Sequence, residues 1–135
     1  RGVGQVVFCN SATSGALIAA GLCWADPFLA ALAAAGCGSA TLAARAAGVD
    51  PASIGSGLLG YNGVLVGCAF AVFLGSADCT EPLVVATVAG GAVSALVAAR
   101  LGKVLTAVPQ WTLAFNFTAI SAMAWARPLA GGPAA

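Results

Sequence analysis

The chain has 135 residues, of which 61% are hydrophobic and 7% charged, with five Lys and Arg against four Asp and Glu and no His. A soluble domain carries roughly 25% charged residues, so these few charges cannot cover a water-facing surface and the expected solvent is lipid. The net charge of +1 and the lack of a basic stripe give no sign of a nucleic-acid partner, and none is expected.

The charges fall at Arg1, Asp26, Arg45, Asp50, Asp78, Glu81, Arg100, Lys103 and Arg127. Between them lie apolar stretches near 3–24, 27–44, 52–75, 82–100 and 104–126, each close to the length of about 20 residues that a bilayer requires. Lipid offers no partner to a backbone N–H or C=O, so each stretch is predicted to be a helix. The alternating polar residues of a barrel strand are missing. The fold class is therefore all-α and transmembrane, a single unit over 1–135 with about five spanning helices.

In the first stretch, Gln5 and Asn10 interrupt the apolar run, and Trp24 near its end reads as an interfacial anchor, as does Trp125 near the end of the fifth. Pro27, Pro51 and Pro82 sit in the first turns of the second, third and fourth helices, where a missing N–H costs little. Asp26, Asp50 and Glu81 lie beside the same starts and complement the helix dipoles. Gly57, Gly60, Gly63 and Gly67, and the row Gly90, Ser94 and Ala98, read as small faces that let helices approach closely in lipid. In the fifth stretch Pro109 lies several residues inside and should break the helix. Broken backbone at membrane depth is tolerated only where it is buried or lines a water-filled path.

Arg45 marks one connection and Arg100 with Lys103 another, whereas the 25–26 and 76–81 connections carry no Lys or Arg. Five spans put both basic connections and Arg1 on one side, which the positive-inside rule makes cytoplasmic. An odd number of spans, in a chain that begins at Arg1 rather than Met, is read as a fragment: the first half of an inverted repeat. Cys9, Cys23, Cys37, Cys68 and Cys79 have mostly apolar neighbours and read as packing residues, with a Cys23–Cys79 disulfide as the alternative. No metal site and no cofactor are expected, because there is no His and no clustered thiol.

No ionisable residue lies in the middle of any proposed span. Ion-coupled transporters and proton relays need such groups there, so a solute handled by this chain is expected to be neutral and its transport passive. Polar neutral residues gather in three clusters. The first runs Arg1-Gly2-Val3-Gly4-Gln5-Val6-Val7-Phe8-Cys9-Asn10. The second is Gly57-Leu58-Leu59-Gly60-Tyr61-Asn62-Gly63-Val64-Leu65-Val66-Gly67. The third is Val108-Pro109-Gln110-Trp111-Thr112-Leu113-Ala114-Phe115-Asn116.

In this order the three clusters resemble signatures of the urea transporter family, and the resemblance covers nearly the whole chain. The third is similar to the family's Leu-Pro-x-x-Thr-x-Pro-Phe signature, with Ala114 where the family has a second Pro. The resemblance implies a pore built from two inverted repeats, so that a second repeat or a second copy completes it. It also implies a homotrimer of full-length protomers, half-helices aimed at the middle of the pore, and a place in the plasma membrane. Carried over residue by residue, Gln5 and Val6 would lie at one mouth of the filter. Phe8 and Tyr61 would form the sides of a flat slot, Leu65 would line it further in, and Thr112 would supply a hydroxyl at the narrow centre.

Urea suits such a pore. It is planar, neutral and rich in N–H donors, and a ladder of oxygens can replace the water it sheds. Read as structure alone, Gln5 is an interhelical hydrogen bond and Phe8, Tyr61 and Leu65 are packing. On the same reading Thr112 bonds back to its own helix, while Asn62 and Asn116 hold broken helix ends. Two other functions share the uncharged character: a channel for another small neutral solute (an amide, water or ammonia), and a non-conducting membrane packing subunit. An enzyme is not expected, because no general base, metal cluster or nucleophile–base pair is visible.

Overall fold

The computed structural model describes residues 1–75, 80–107 and 109–126. Asp78, Cys79 and with it the Cys23–Cys79 pairing, Val108 of the third cluster, and Arg127 lie outside the described residues.

Every regular element among the described residues is a helix: α1 (Gly2–Gln5), α2 (Ala12–Ala25), α3 (Pro27–Ala46), α4 (Pro51–Gly55), α5 (Gly60–Leu74), α6 (Thr80–Val104) and α7 (Leu113–Ala126). Two of them, α3 with 20 residues and α6 with 25, are long and apolar enough to cross a membrane. At 1.5 Å per residue they reach about 30 and 38 Å. The apolar helices α2, α5 and α7 have 14, 15 and 14 residues, or about 21–22 Å each.

The helix starts follow the Pro and Asp signals. Asp26 Oδ1 accepts the Leu29 N–H at 3.0 Å and Asp50 Oδ2 accepts the Ser53 N–H at 3.0 Å, each with Pro in the next position. These side chains satisfy N–H groups that have no partner inside the helix. Glu81 lies in the first turn of α6, and Arg45 and Lys103 in the last turns of α3 and α6, as the helix dipole favours.

Three expected spans are not single helices. The stretch 3–24 is divided into α1 and α2, and 52–75 into α4 and α5. In the stretch 104–126, Val104 still belongs to α6, and α7 starts only at Leu113. The last break follows from Pro109. The first two carry no internal Pro and arise from left-handed residues, Phe8 at φ 58° and Gly57 at φ 82°. Helix α6 runs on past the expected end at 100, because Arg100 and Lys103 are exposed on it and need no loop.

The centre of the fold is the seam where α3 meets α5 and α6. A Cβ on Gly36 would collide with the Gly63 carbonyl, one on Gly63 with the Gly36 carbonyl, and one on Gly67 with the Leu32 carbonyl. The helices therefore touch backbone to backbone, the contact that small residues permit in lipid. Gly91 of α6 joins the seam, its absent Cβ lying 2.6 Å from the Gly36 oxygen. Around the seam, Leu32, Val66, Phe70 and Leu83 form one buried cluster, and Ala40, Ala44, Leu59, Ala95, Ala98 and Ala114 form another.

Hydroxyls in this apolar setting mostly bond to their own helix: Ser39 to Gly36 O, Thr41 to Cys37 O, Ser94 to Gly91 O and Thr118 to Ala114 O, at 2.7–3.0 Å. Outside the seam, Leu17, Phe73, Val85 and Ile120 are exposed, and Trp24 is 93% exposed. So wide an apolar surface suits contact with lipid and not with water.

Candidate functional site

The breaks in the chain are built alike at three helix ends. After α3, Gly48 at φ 70° lets Val49 N–H reach Ala44 O and Gly48 N–H reach Arg45 O, both at 3.1 Å. After α4, Gly57 does the same, with Leu58 N–H on Ser53 O and Gly57 N–H on Ile54 O. This is the Schellman arrangement, whose left-handed position normally takes Gly. After α1 the same pair of bonds recurs, Cys9 N–H to Gly4 O and Phe8 N–H to Gln5 O, both 3.0 Å. Here the left-handed residue is Phe8. Such a conformation costs a side-chain-bearing residue about 1–2 kcal/mol, and the outlay sets an aromatic ring at a helix end, 71% exposed.

Facing Phe8 is a second aromatic residue in the left-handed region, Trp111 at φ 43°. Their rings meet edge to face, with centroids 5.3 Å apart and planes at 82°. Together with Gln5, Leu58, Tyr61, Pro109 and Gln110 they line an open groove of about 290 Å³. None of the seven is charged. The first break (Val6–Ser11), the second (Ser56–Leu59) and the third (Leu105–Thr112) thus contribute to one groove, with α1 and the start of α5 supplying Gln5 and Tyr61.

Hydrogen bonds tie the three breaks together. Gln5 Nε2 donates to Ser56 O at 2.8 Å, joining the first to the second. The Tyr61 hydroxyl donates to Trp111 O, joining the second to the third. Close backbone contact reinforces the first junction: a Cβ on Gly57 would lie 2.6 Å from Gly2 N. The third break ends where Asn62 Oδ1 accepts the Phe115 N–H at 3.2 Å. Asn62 is buried, and it meets the donor at the start of α7 that the Pro109 break leaves free. Ala114, where the family motif has Pro, is fully buried, and the start of α7 is held by Asn62 beside it.

Of the six residues singled out from the sequence, Gln5, Phe8 and Tyr61 line this groove. Val6, Leu65 and Thr112 do not. Leu65 is half-buried one turn beyond Tyr61 on the same helix face. Val6 is half-buried directly after α1. Thr112 is half-buried just before α7, its Oγ1 accepting from Asn116 Nδ2 at 3.4 Å. The ring that stands edge-on to Phe8 is that of Trp111. The groove is also lined by Leu58, Pro109, Gln110 and Trp111, which were not among the six. The signal for the last two was present: an amide and an indole beside Pro109, in the middle of an apolar stretch where neither has a water interface to sit in.

The sequence model of the urea transporter family matches residues 1–134. The chain belongs to the urea transporter family. Urea transporter 1 of Mus musculus is 36% identical over 118 residues, covering 86% of this chain and 31% of that protein. Urea transporter 1 of Rattus norvegicus is 42% identical over 78 residues, 58% of this chain and 20% of the rat protein. Urea transporter 1 of Ovis aries is 33% identical over 118 residues. The chain thus spans under a third of the length of these curated relatives. As a urea transporter family chain it is a membrane protein, in keeping with the apolar exterior of its helices.

Proposed function

We propose that this chain forms one wall of a passive urea pathway across the membrane. The observation that carries the reading is the uncharged groove at which three helix breaks converge, lined by two amides, three aromatic rings, Leu58 and Pro109. Urea carries N–H donors and no charge. Carbonyls released where helices break offer acceptors at fixed positions, and each has two lone pairs. Trp111 O uses one for the Tyr61 hydroxyl, which leaves the second for a passing N–H. The aromatic faces favour a flat molecule, and no ionised side chain lines the groove to draw an ion into it.

On this reading all five apolar segments reach through the bilayer, the three short helices doing so together with their interruptions. The chain is half of an inverted-repeat channel and not an enzyme. A second inverted repeat or a second copy supplies the facing wall, full-length protomers assemble as homotrimers, and the membrane is the plasma membrane. Within the half pore, Gln5 and Val6 stand at a mouth, Phe8 and Tyr61 flank the path, and Leu65 and Thr112 line it further in.

The test is urea flux into proteoliposomes holding the full-length protein, by stopped-flow light scattering. The expected flux follows the urea gradient, needs no sodium, and is unchanged by a protonophore. Flux that collapses when the proton gradient is removed overturns the passive reading. The same uncharged groove also suits another small neutral solute, so competition by thiourea and small amides ranks urea against them.

A further inference from the structure

A second, larger groove of about 680 Å³ lies where the connection Ala47–Asp50 faces the last turns of α6. We infer that it is a binding site for an anionic phospholipid, with the lipid phosphate between Arg100 and Lys103 and an acyl chain laid along α6. The inference rests on the chain being a membrane protein and not on what passes the first groove.

The groove has the two parts such a lipid needs. Its floor is apolar: Val49, Val97 and Leu101 are half-buried against the core cluster of Ala40, Ala44, Ala95 and Ala98. Its rim carries two cations, Arg100 and Lys103, both exposed and three residues apart on one helix face. Asp50 also lines it, but one of its carboxylate oxygens is committed to the Ser53 N–H and hydroxyl. From the cations an exposed apolar row leads away along α6 through Leu96, Val93, Ala89 and Val85, at helical spacing. A phosphate held at Arg100 and Lys103 therefore sets its acyl chain on an exposed apolar stripe.

Charge decides the class of lipid. Basic side chains near a membrane surface attract anionic headgroups by roughly fivefold in affinity each. Arg adds a planar fork of donors suited to phosphate.

Native mass spectrometry of the protein from micelles holding equal phosphatidylcholine and phosphatidylglycerol tests the site. The wild-type protein is expected to keep phosphatidylglycerol in preference, and Arg100→Gln with Lys103→Gln to lose about fivefold of that preference per cation. Helical circular dichroism is expected to be unchanged, because both side chains are exposed. The charge-keeping variant Arg100→Lys with Lys103→Arg retains the preference, and so does Arg45→Gln, which removes a nearby cation outside the groove. Equal retention of the two lipids by the wild type overturns the proposal, as does a preference untouched in the double Gln variant or one lost in the charge-keeping variant. Abolition by Arg45→Gln alone or displacement by millimolar inorganic phosphate overturns it equally.

Discussion

Asn62, in the first turn of α5, holds the N–H of Phe115, in the first turn of α7, through its Oδ1 at 3.2 Å from a position only 1% exposed. One buried amide thereby holds the start of α7, 53 residues further along the chain.

Replacing that amide exposes its worth. Asn62→Leu keeps the branched shape with added bulk and removes the acceptor, leaving the Phe115 N–H without its partner. The expected loss is about 1–3 kcal/mol of stability. It is read as a lower thermal midpoint in detergent, followed by helical circular dichroism. An unchanged midpoint would mean that α7 starts without help from Asn62.

Two glycines two residues apart in α3 should respond oppositely. Gly36→Ala drives a methyl into the Gly63 carbonyl, whereas a Cβ on Gly38 meets nothing within 4 Å. The first is expected to destabilise by the upper part of the overpacking range of about 1–3 kcal/mol. The second stabilises by up to about 1 kcal/mol through helix propensity. Midpoints of the two variants measured side by side check the pair.

Phe8→Gly separates folding from selection. It relieves a left-handed backbone worth about 1–2 kcal/mol and forfeits an edge-to-face ring contact worth about 0.5–1.5 kcal/mol. Stability should therefore change by between a loss of about 0.5 and a gain of about 1.5 kcal/mol on those figures. Discrimination between urea and thiourea should fall, because one side of the groove has lost its ring. Unaltered discrimination in the flux assay removes Phe8 from the pathway.

Thr112→Val tests the hydroxyl expected at the narrow centre. If urea bonds to it in passing, losing about 1 kcal/mol of interaction lowers flux about fivefold at normal expression. Unchanged flux takes Thr112 off the pathway.

The capping carboxylates provide a further check on the fold. Asp26→Ala should cost about 1 kcal/mol, and Asp26→Asn almost nothing, because an amide oxygen caps as well as a carboxylate. A loss of similar size in both variants would show that charge, not the Leu29 hydrogen bond, is what Asp26 supplies.

How far the structure could be read beforehand depends on whether a residue acts through its own chemistry or through its surroundings. Asp26–Pro27 and Asp50–Pro51 announce helix starts because cap and ring act within one turn, and Pro109 announces a break because it has no N–H to give. The α3–α5 seam was half visible, since Gly57, Gly60, Gly63 and Gly67 advertise a close approach without naming Gly36 as the partner. The break after α1 was hidden. Its left-handed residue is Phe8, and nothing in a phenylalanine signals that its neighbours will force it to act as glycine does at 48 and 57. Gln5, Phe8 and Tyr61 could be picked from two separated clusters, but the Phe8–Trp111 contact depends on how the first and third breaks meet. That distance in space is not written in either segment.

The seam through Gly36, Gly63 and Gly67 also limits how the protein can move. Two rods locked carbonyl against Cα have no compliant side chains between them, so sliding one past the other means lifting whole ridges of main chain apart. Any rearrangement is thereby steered away from this keel and towards the short linkers that carry Phe8 and Trp111, the residues of the proposed pathway.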